Sequence, residues 1–162
     1  MLVRQARKGD EAAIATLLLK LVAQHVRYDP QRFADFVTHD GAAAFYLDRI
    51  GSDSASILVA ESDEKIVGFA YLEFQERNYE ELVDRGVWLH DIYVEESFRK
   101  RGAGRELMQA AITSAAKLGG SKLLLSTASR NDAGRRFFES FGFRPTMTEM
   151  TLDLDRPEPD RG

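Results

Sequence analysis

The sequence predicts an α/β (α+β) domain built as a three-layer sandwich, with a mixed central sheet of about six to seven strands flanked by helices. Three observations lead there. Apolar residues alternate or run continuously in some segments and recur every three or four positions in others. These segments follow the order strand, helices, a run of strands, then strand, helix, strand, helix, strand, with no internal repeat. Finally, a length of 162 residues suits one domain, at roughly 150 residues per domain. Residues 1–154 are expected to form that domain, with 155–162, which hold two of the four prolines, a disordered tail.

The elements follow in order. Leu2 to Ala6 reads as a short strand, and Gly9-Asp10 as a turn and helix start. Ile14, Leu17, Leu18, Leu21 and Val22 then repeat at helical spacing. Pro30 is expected in the first turn of a second helix carrying Phe33, Phe36 and Val37, broken at Gly41 and resumed through Tyr46. Ser56 to Glu61 and Ile66 to Phe74 read as a hairpin around the polar turn Ser62–Lys65. Asn78 to Gly86 is expected to be an acidic loop. Val87 to Val94, apolar except for His90 and Asp91, reads as a central strand covered on both faces. A charged loop from Glu95 opens a helix bearing Leu107, Ala111, Ala115 and Leu118, closed by Gly119-Gly120. Lys122 to Ser126 reads as a strand, Asn131 to Phe141 as a shorter helix, and Thr146 to Leu154 as a last strand.

Composition narrows the chemistry. Lys plus Arg total 22 against 26 Asp plus Glu, a net charge of −4, which gives no general attraction to nucleic acid. There is no cysteine, so disulfides, thiolate metal sites and a cysteine nucleophile are excluded. The first apolar stretch is interrupted by Thr16 and Lys20, whereas a membrane span needs about 20 apolar residues. No membrane partner and a cytoplasmic location are the expectation.

The stretch Asp91 to Arg105 carries the chemistry: a strand enters a cationic loop containing glycines, and the loop becomes a helix. The first amides of a helix lack intrahelical partners and lie at the positive end of its dipole. Glycine lets a phosphate approach them closely. Arg99, Lys100, Arg101 and Arg105 add charge suited to a ligand with several phosphates, or else form a solvated face around a simple turn. A Walker loop is excluded because Gly104 is followed by Arg105 and Glu106, and a Rossmann fingerprint because Leu107 replaces its third glycine.

Arg99-x-x-Gly102-x-Gly104 after a strand resembles motif A of the GNAT superfamily, the acyl-CoA dependent N-acyltransferases. Asn131 opening a short helix, Phe137-Phe138 and Phe141-Gly142-Phe143 resemble its motif B, and Val3-Arg4-Gln5-Ala6 with Asp10 fits its usual amino terminus. The resemblance spans most of the chain and implies a GNAT sandwich binding acetyl-CoA as cosubstrate, without a metal. It assigns Ile92, Tyr93 and Val94 to the pantetheine arm, and Arg99, Lys100, Arg101, Gly102, Ala103, Gly104 and Arg105 to the pyrophosphate region. It places Asn131, which also suits a helix cap, and Phe138 beside the coenzyme.

An amine with a pKa of about 10.4 must lose a proton before attacking a thioester. The resemblance puts a frequent catalytic carboxylate where His90 stands. This imidazole can accept a proton near neutral pH or serve as a hydrogen-bonded structural histidine. Asp91 faces the opposite side in a regular strand, though a bulge changes that. Glu73 on the neighbouring strand is a second candidate base. Phe138 occupies the position where the family often carries a tyrosine that protonates the leaving thiolate. The resemblance further suggests Tyr28, Phe33 and Asp91 for the acceptor, with Glu76 to Asp84 an acidic attraction for a cationic amine or a solvated surface. Direct transfer to a small amine in a ternary complex is the reading. Acetylation of a protein, and a catalytically silent acyl-CoA-binding or sensing module, are its rivals. Many family members dimerise, so the resemblance implies a homodimer.

Overall fold

The structure, a computed structural model, describes residues 1–154; the expected tail at 155–162 lies outside them. Among the described residues five strands form one sheet in the order β1-β2-β3-β4-β5: β1 is Leu2–Gln5, β2 Ala55–Ser62, β3 Lys65–Asn78, β4 Val83–Val94 and β5 Lys122–Leu124. The first three pairings are antiparallel and the last is parallel. Helices α1 (Glu11–Tyr28) and α2 (His39–Arg49) precede β2, α3 (Ala103–Lys117) links β4 to β5, and α4 (Asp132–Glu139) follows.

Alternation along the central strands builds two cores. Ile57, Val59, Phe69, Tyr71 and Tyr93 face Ile14, Leu17 and Tyr46 of α1 and α2. Leu58, Ala60, Ala70, Leu72, Val87 and Leu89 face Leu107, Met108 and Ala111 of α3. Period-two side chains buried on both sides explain why β2, β3 and β4 read as nearly continuous apolar runs.

Four expectations require correction. No helix begins at Pro30: the Asp29 carboxylate accepts from the amides of Gln31 and Arg32, a local turn that competes with helix initiation. Helix α2 starts at His39 instead, and Gly41 belongs to its first turn rather than breaking it. The Thr38 hydroxyl accepts from the Gly41 amide at 3.2 Å, and a Cβ at Gly41 would come within 2.9 Å of that hydroxyl oxygen, so glycine makes room for the cap. The acidic segment 78–86 is not a loop: β3 runs to Asn78, β4 begins at Val83, and only 79–82 turn, with the Asn78 side chain accepting from the Glu81 amide at 3.0 Å. Among the described residues the sheet has five strands rather than about six to seven, because residues 146–154 pair with no described strand despite their alternating pattern.

Candidate active site

The parallel ladder between β4 and β5 is short, Gly86–Trp88 against Lys122–Leu124. Beyond it β4 continues to Val94 while paired with β3 on its other side. The strands therefore part at Leu89. Backbone groups of Ile92, Tyr93 and Val94 on the parted edge have no strand partner among the described residues, which suits an extended ligand bearing amides.

At the end of β4 the chain turns through a 3-10 segment, Glu96–Phe98, into α3. Lys100 at φ 61° and Gly102 at φ 91° adopt left-handed conformations that curl the loop over the helix start. Gly102 caps α3 without a side-chain bond, and its position favours glycine because an L side chain there is strained. Ala103 is buried, Gly104 half-buried, and Lys100, Arg101 and Arg105 are exposed. Arg101 lies over the Phe98 ring at 5.8 Å and Arg105 over Phe141 at 5.3 Å. Arg99 differs: its Nε donates to the Val94 carbonyl at 2.9 Å, and its guanidinium lies 5.2 Å from the Tyr93 ring centre. Its side chain ties the loop to the strand. These are donors and cations that fit a pyrophosphate.

Helices α1 and α4 meet across the opening. The Tyr28 hydroxyl donates to Asn131 Oδ1 at 3.1 Å and accepts from Gln24 Nε2 at 2.7 Å. Asn131 caps α4 through the Gly134 amide at 2.9 Å, so one side chain serves both a cap and the crossing. Phe33 stacks edge-on against His25 at 5.0 Å. Phe138 is buried between Phe137 and Phe143, at 5.5 and 5.9 Å, where no hydroxyl is supplied.

A bulge decides the arrangement on β4. Tyr71 pairs with Asp91 but Leu72 pairs with Leu89, leaving His90 as the extra residue. A bulge turns neighbouring side chains away from strict alternation, and here His90 and Asp91 share the α1/α2 face. Asp91 does not point to the opposite side. The His90 ring stacks on Tyr71 at 5.2 Å, and its Nε2 lies 3.6 Å from Glu73 Oε2. The Tyr71 hydroxyl donates to that same oxygen at 2.7 Å and accepts from Arg49 Nε at 2.9 Å. Asp91 is half-buried and accepts from the Tyr46 hydroxyl at 2.9 Å. Burial pushes its carboxyl above the ordinary range, against the opposing pull of Tyr46, His90 and His25. Burial likewise raises both tyrosines, Tyr46 helped by Asp91 and Tyr71 by Glu73.

The structure thus brings His90 and Glu73 together, joins Tyr28 to Asn131, and sets Asp91 under α2 rather than in the opening. Tyr46, Tyr71 and Arg49 belong to the arrangement and were not singled out from sequence. Their signal, aromatic residues at core spacing, is the same as that of any packed core. Among the described residues no group of three or more His, Cys, Asp or Glu is arranged to hold a metal, and no helix is long and apolar enough to cross a membrane.

The profile of the acetyltransferase (GNAT) family matches residues 19–143. The chain belongs to that family. A relative from Bacillus subtilis, the uncharacterized N-acetyltransferase YhfO, is 30% identical over 144 residues, covering 88% of this chain and 89% of its own. An uncharacterized N-acetyltransferase of Mycobacterium tuberculosis is 28% identical over 115 residues, 71% of this chain and 69% of the other. Among solved structures, the BH1408 protein of Bacillus halodurans superposes with TM-score 0.80 at 21% identity, over 95% of this chain and 100% of that one. The aminoglycoside N-acetyltransferase AAC(6')-Iy in complex with CoA does so with TM-score 0.74 at 19% identity, over 96% and 95%. Both share the GNAT sandwich, and this GNAT chain is an acyl-CoA dependent N-acetyltransferase.

Proposed function

We propose that this acetyltransferase transfers the acetyl group of acetyl-CoA to a primary amine of a small molecule, polyamine-, aminoglycoside- or amino-acid-like, by direct attack in a ternary complex within a cytoplasmic homodimer. The observation that carries the reading is the bulge that sets His90 beside Glu73 where β4 and β5 part. Bound in that opening, the coenzyme supplies an activated acyl thioester. Ile92, Tyr93 and Val94 pair with its arm through their backbone, and a β4 amide near Tyr93 or Val94 polarises the acyl oxygen. Lys100, Arg101, Arg105 and the first amides of α3 hold the phosphates, with Arg99 fixing the loop, Gly102, Ala103 and Gly104 giving the close approach, and Asn131 and Phe138 closing the far side.

His90 takes the proton from the incoming ammonium, directly or through water, and Glu73 receives or stabilises it across the 3.6 Å contact. Tyr28 and Phe33 line the acceptor side and Asp91 adds a carboxyl beneath it. With phenylalanine at 138, the thiol, of pKa about 8.5, leaves as thiolate, and the second proton, lost from the attacking nitrogen as the amide forms, reaches it through water. Support for a small amine comes from the fold shared with AAC(6')-Iy, whose solved forms include one with the bisubstrate analogue CoA-S-monomethyl-acetylneamine.

Thiol release measured across a panel of polyamines, aminoglycosides and amino acids tests the reading, and at least one acceptor is expected to raise it well above background. His90→Ala is expected to lower kcat by about 10²- to 10⁴-fold, the usual worth of a general base, while coenzyme affinity stays within about twofold. The buried Phe138 favours one other reading, a silent acyl-CoA-binding module. Tight coenzyme binding with every acceptor at background would select it.

A further inference from the structure

We infer that Tyr71 and Arg49 are positioning residues for proton transfer: a series of hydrogen bonds from Arg49 through the Tyr71 hydroxyl to Glu73 holds that carboxylate against His90, while the Tyr71 ring sets the plane of the imidazole. This rests on the reading of His90 and Glu73 as the proton-handling pair and names what fixes their geometry.

Exposure creates the need for such a device. The His90 and Glu73 side chains are 39% and 35% exposed, and a glutamate left to water samples several rotamers. They also meet at a bulge, where strict alternation no longer fixes the direction of a side chain. Their 3.6 Å separation is already beyond an ordinary hydrogen bond. A small drift of either group would end the contact, and a base must stay within reach of its proton partner.

Tyr71 removes that freedom on both sides. It is 2% exposed and stands edge-on to Phe45 and Tyr46 at 5.7 and 5.8 Å, so its ring cannot turn without disturbing the core. One face carries the His90 ring at 5.2 Å with 26° between the planes. Its hydroxyl donates to Glu73 Oε2 at 2.7 Å, the oxygen that faces His90 Nε2. One rigid side chain therefore locates both partners and the atom through which they meet.

Arg49 sets the direction of the hydroxyl. A phenol has one hydrogen to donate, and with Arg49 Nε donating to its oxygen at 2.9 Å that hydrogen is left for Glu73. The guanidinium is itself held: Nη1 donates to the Phe45 carbonyl at 3.2 Å, and the group lies over the Phe45 ring at 3.5 Å. Asp48 approaches it to 3.6 Å from the solvent side. Burial, with Glu73, keeps the Tyr71 hydroxyl protonated well above the ordinary phenol range, so it stays a donor and does not compete with His90 for the proton of the amine.

Steady-state thiol release with the best acceptor, counted per coenzyme-binding site, tests the series. Tyr71→Phe keeps the ring and removes the hydroxyl. It is expected to lower kcat about 10- to 100-fold, the worth of one hydrogen bond to a charged group, with both KM values within about twofold. Arg49→Gln is expected to lower kcat in the same way, and Arg49→Lys, which keeps a cationic donor, to recover part of the loss. In a Glu73→Ala chain, where the hydroxyl has nothing to hold, Tyr71→Phe is expected to cost less than about twofold, as for residues that act through one another. An unchanged kcat in Tyr71→Phe or Arg49→Gln, a loss carried by KM, or a loss of full size in the Glu73→Ala chain overturns the assignment. The magnetic resonance signals of the His90 ring, identified among the three histidines by His90→Ala, read the geometry without turnover and are expected to move in Tyr71→Phe and Arg49→Gln. Signals that move while no acceptor is turned over would end the transfer reading and leave the positioning. Signals that stay fixed would end the positioning whatever the turnover.

Discussion

The two walls of the opening are made in different ways. The wall proposed for the cofactor is one continuous stretch, from Ile92 at the end of β4 through the cationic loop into the first turn of α3. The wall proposed for the acceptor is assembled from separate elements: Tyr28 at the end of α1, Tyr71 and Glu73 on β3, and the bulged His90 on β4, backed by Tyr46 and Arg49 on α2 and by Asp91 beneath α2. A phosphate site needs backbone amides and charge, which a short local sequence can supply. Proton handling and amine selection need side chains from several elements, and tertiary packing alone brings those together.

The sharpest way to break this contrast is to disable the cofactor wall alone. Arg101→Glu/Arg105→Glu removes two exposed cations and repels phosphates. Hydrogen bonds to charged groups are worth about 1.5–3 kcal/mol each, so titration calorimetry is expected to show coenzyme affinity falling about 100-fold or more. The loss should shrink as salt rises, because exposed charges are screened. Unchanged affinity would remove the loop from the cofactor site.

Cutting the acceptor wall should leave coenzyme affinity intact and cost stability instead. Tyr46 is 1% exposed, and its hydroxyl is the side-chain donor to the half-buried Asp91. Tyr46→Phe leaves that carboxyl short of a donor, which costs about 1–3 kcal/mol. Urea unfolding measures it, and kcat should fall with it if Tyr46 and Asp91 hold the bulge that aims His90.

The contrast also explains what the sequence disclosed. The strand–loop–helix at Asp91–Arg105 was legible because turn, charge and helix start are local properties, as were the Ser62–Lys65 turn and the amphipathic faces of α1 and α3. The bulge was legible only as an option. Whether His90 is an extra residue depends on which β3 residue pairs with Leu89, a register set by packing on both faces. The expected helix at Pro30 was overruled by the Asp29 carboxylate, and the break expected at Gly41 became room for the Thr38 cap. Residues 146–154 show the reverse case, a strand-like pattern that finds no pairing partner in its own sheet.

A pH measurement isolates Asp91. Burial raises its folded pKa above the ordinary 3.8, so the folded state holds its proton more tightly than the unfolded chain. Stability from this group is present below about pH 4 and is lost as pH rises through the folded value. Asp91→Asn cannot ionise yet still offers an acceptor to Tyr46. Its stability relative to the native chain is therefore expected to improve as pH rises above 4, by about 1.4 kcal/mol for every tenfold by which burial tightens proton binding. A constant difference across pH would mean that Asp91 titrates as it does in water.

The smallest effect tests how far the acceptor wall extends along the β3–β4 hairpin. At the hairpin turn Tyr79 is 80% exposed and Leu82 is 90% exposed, and Leu82 adopts φ 53°. Leucine has no packing there to offset the strain of a left-handed backbone, whereas asparagine tolerates that region through its short polar side chain. Leu82→Asn is expected to stabilise the chain by about 0.5 kcal/mol, within the range seen when a backbone conflict is relieved at an exposed turn. Urea unfolding gives that value. The KM for the best acceptor then decides the rest: a rise would extend the acceptor wall to the hairpin tip with its Glu80 and Glu81, and an unchanged KM would confine it to the bulge, α1 and α2.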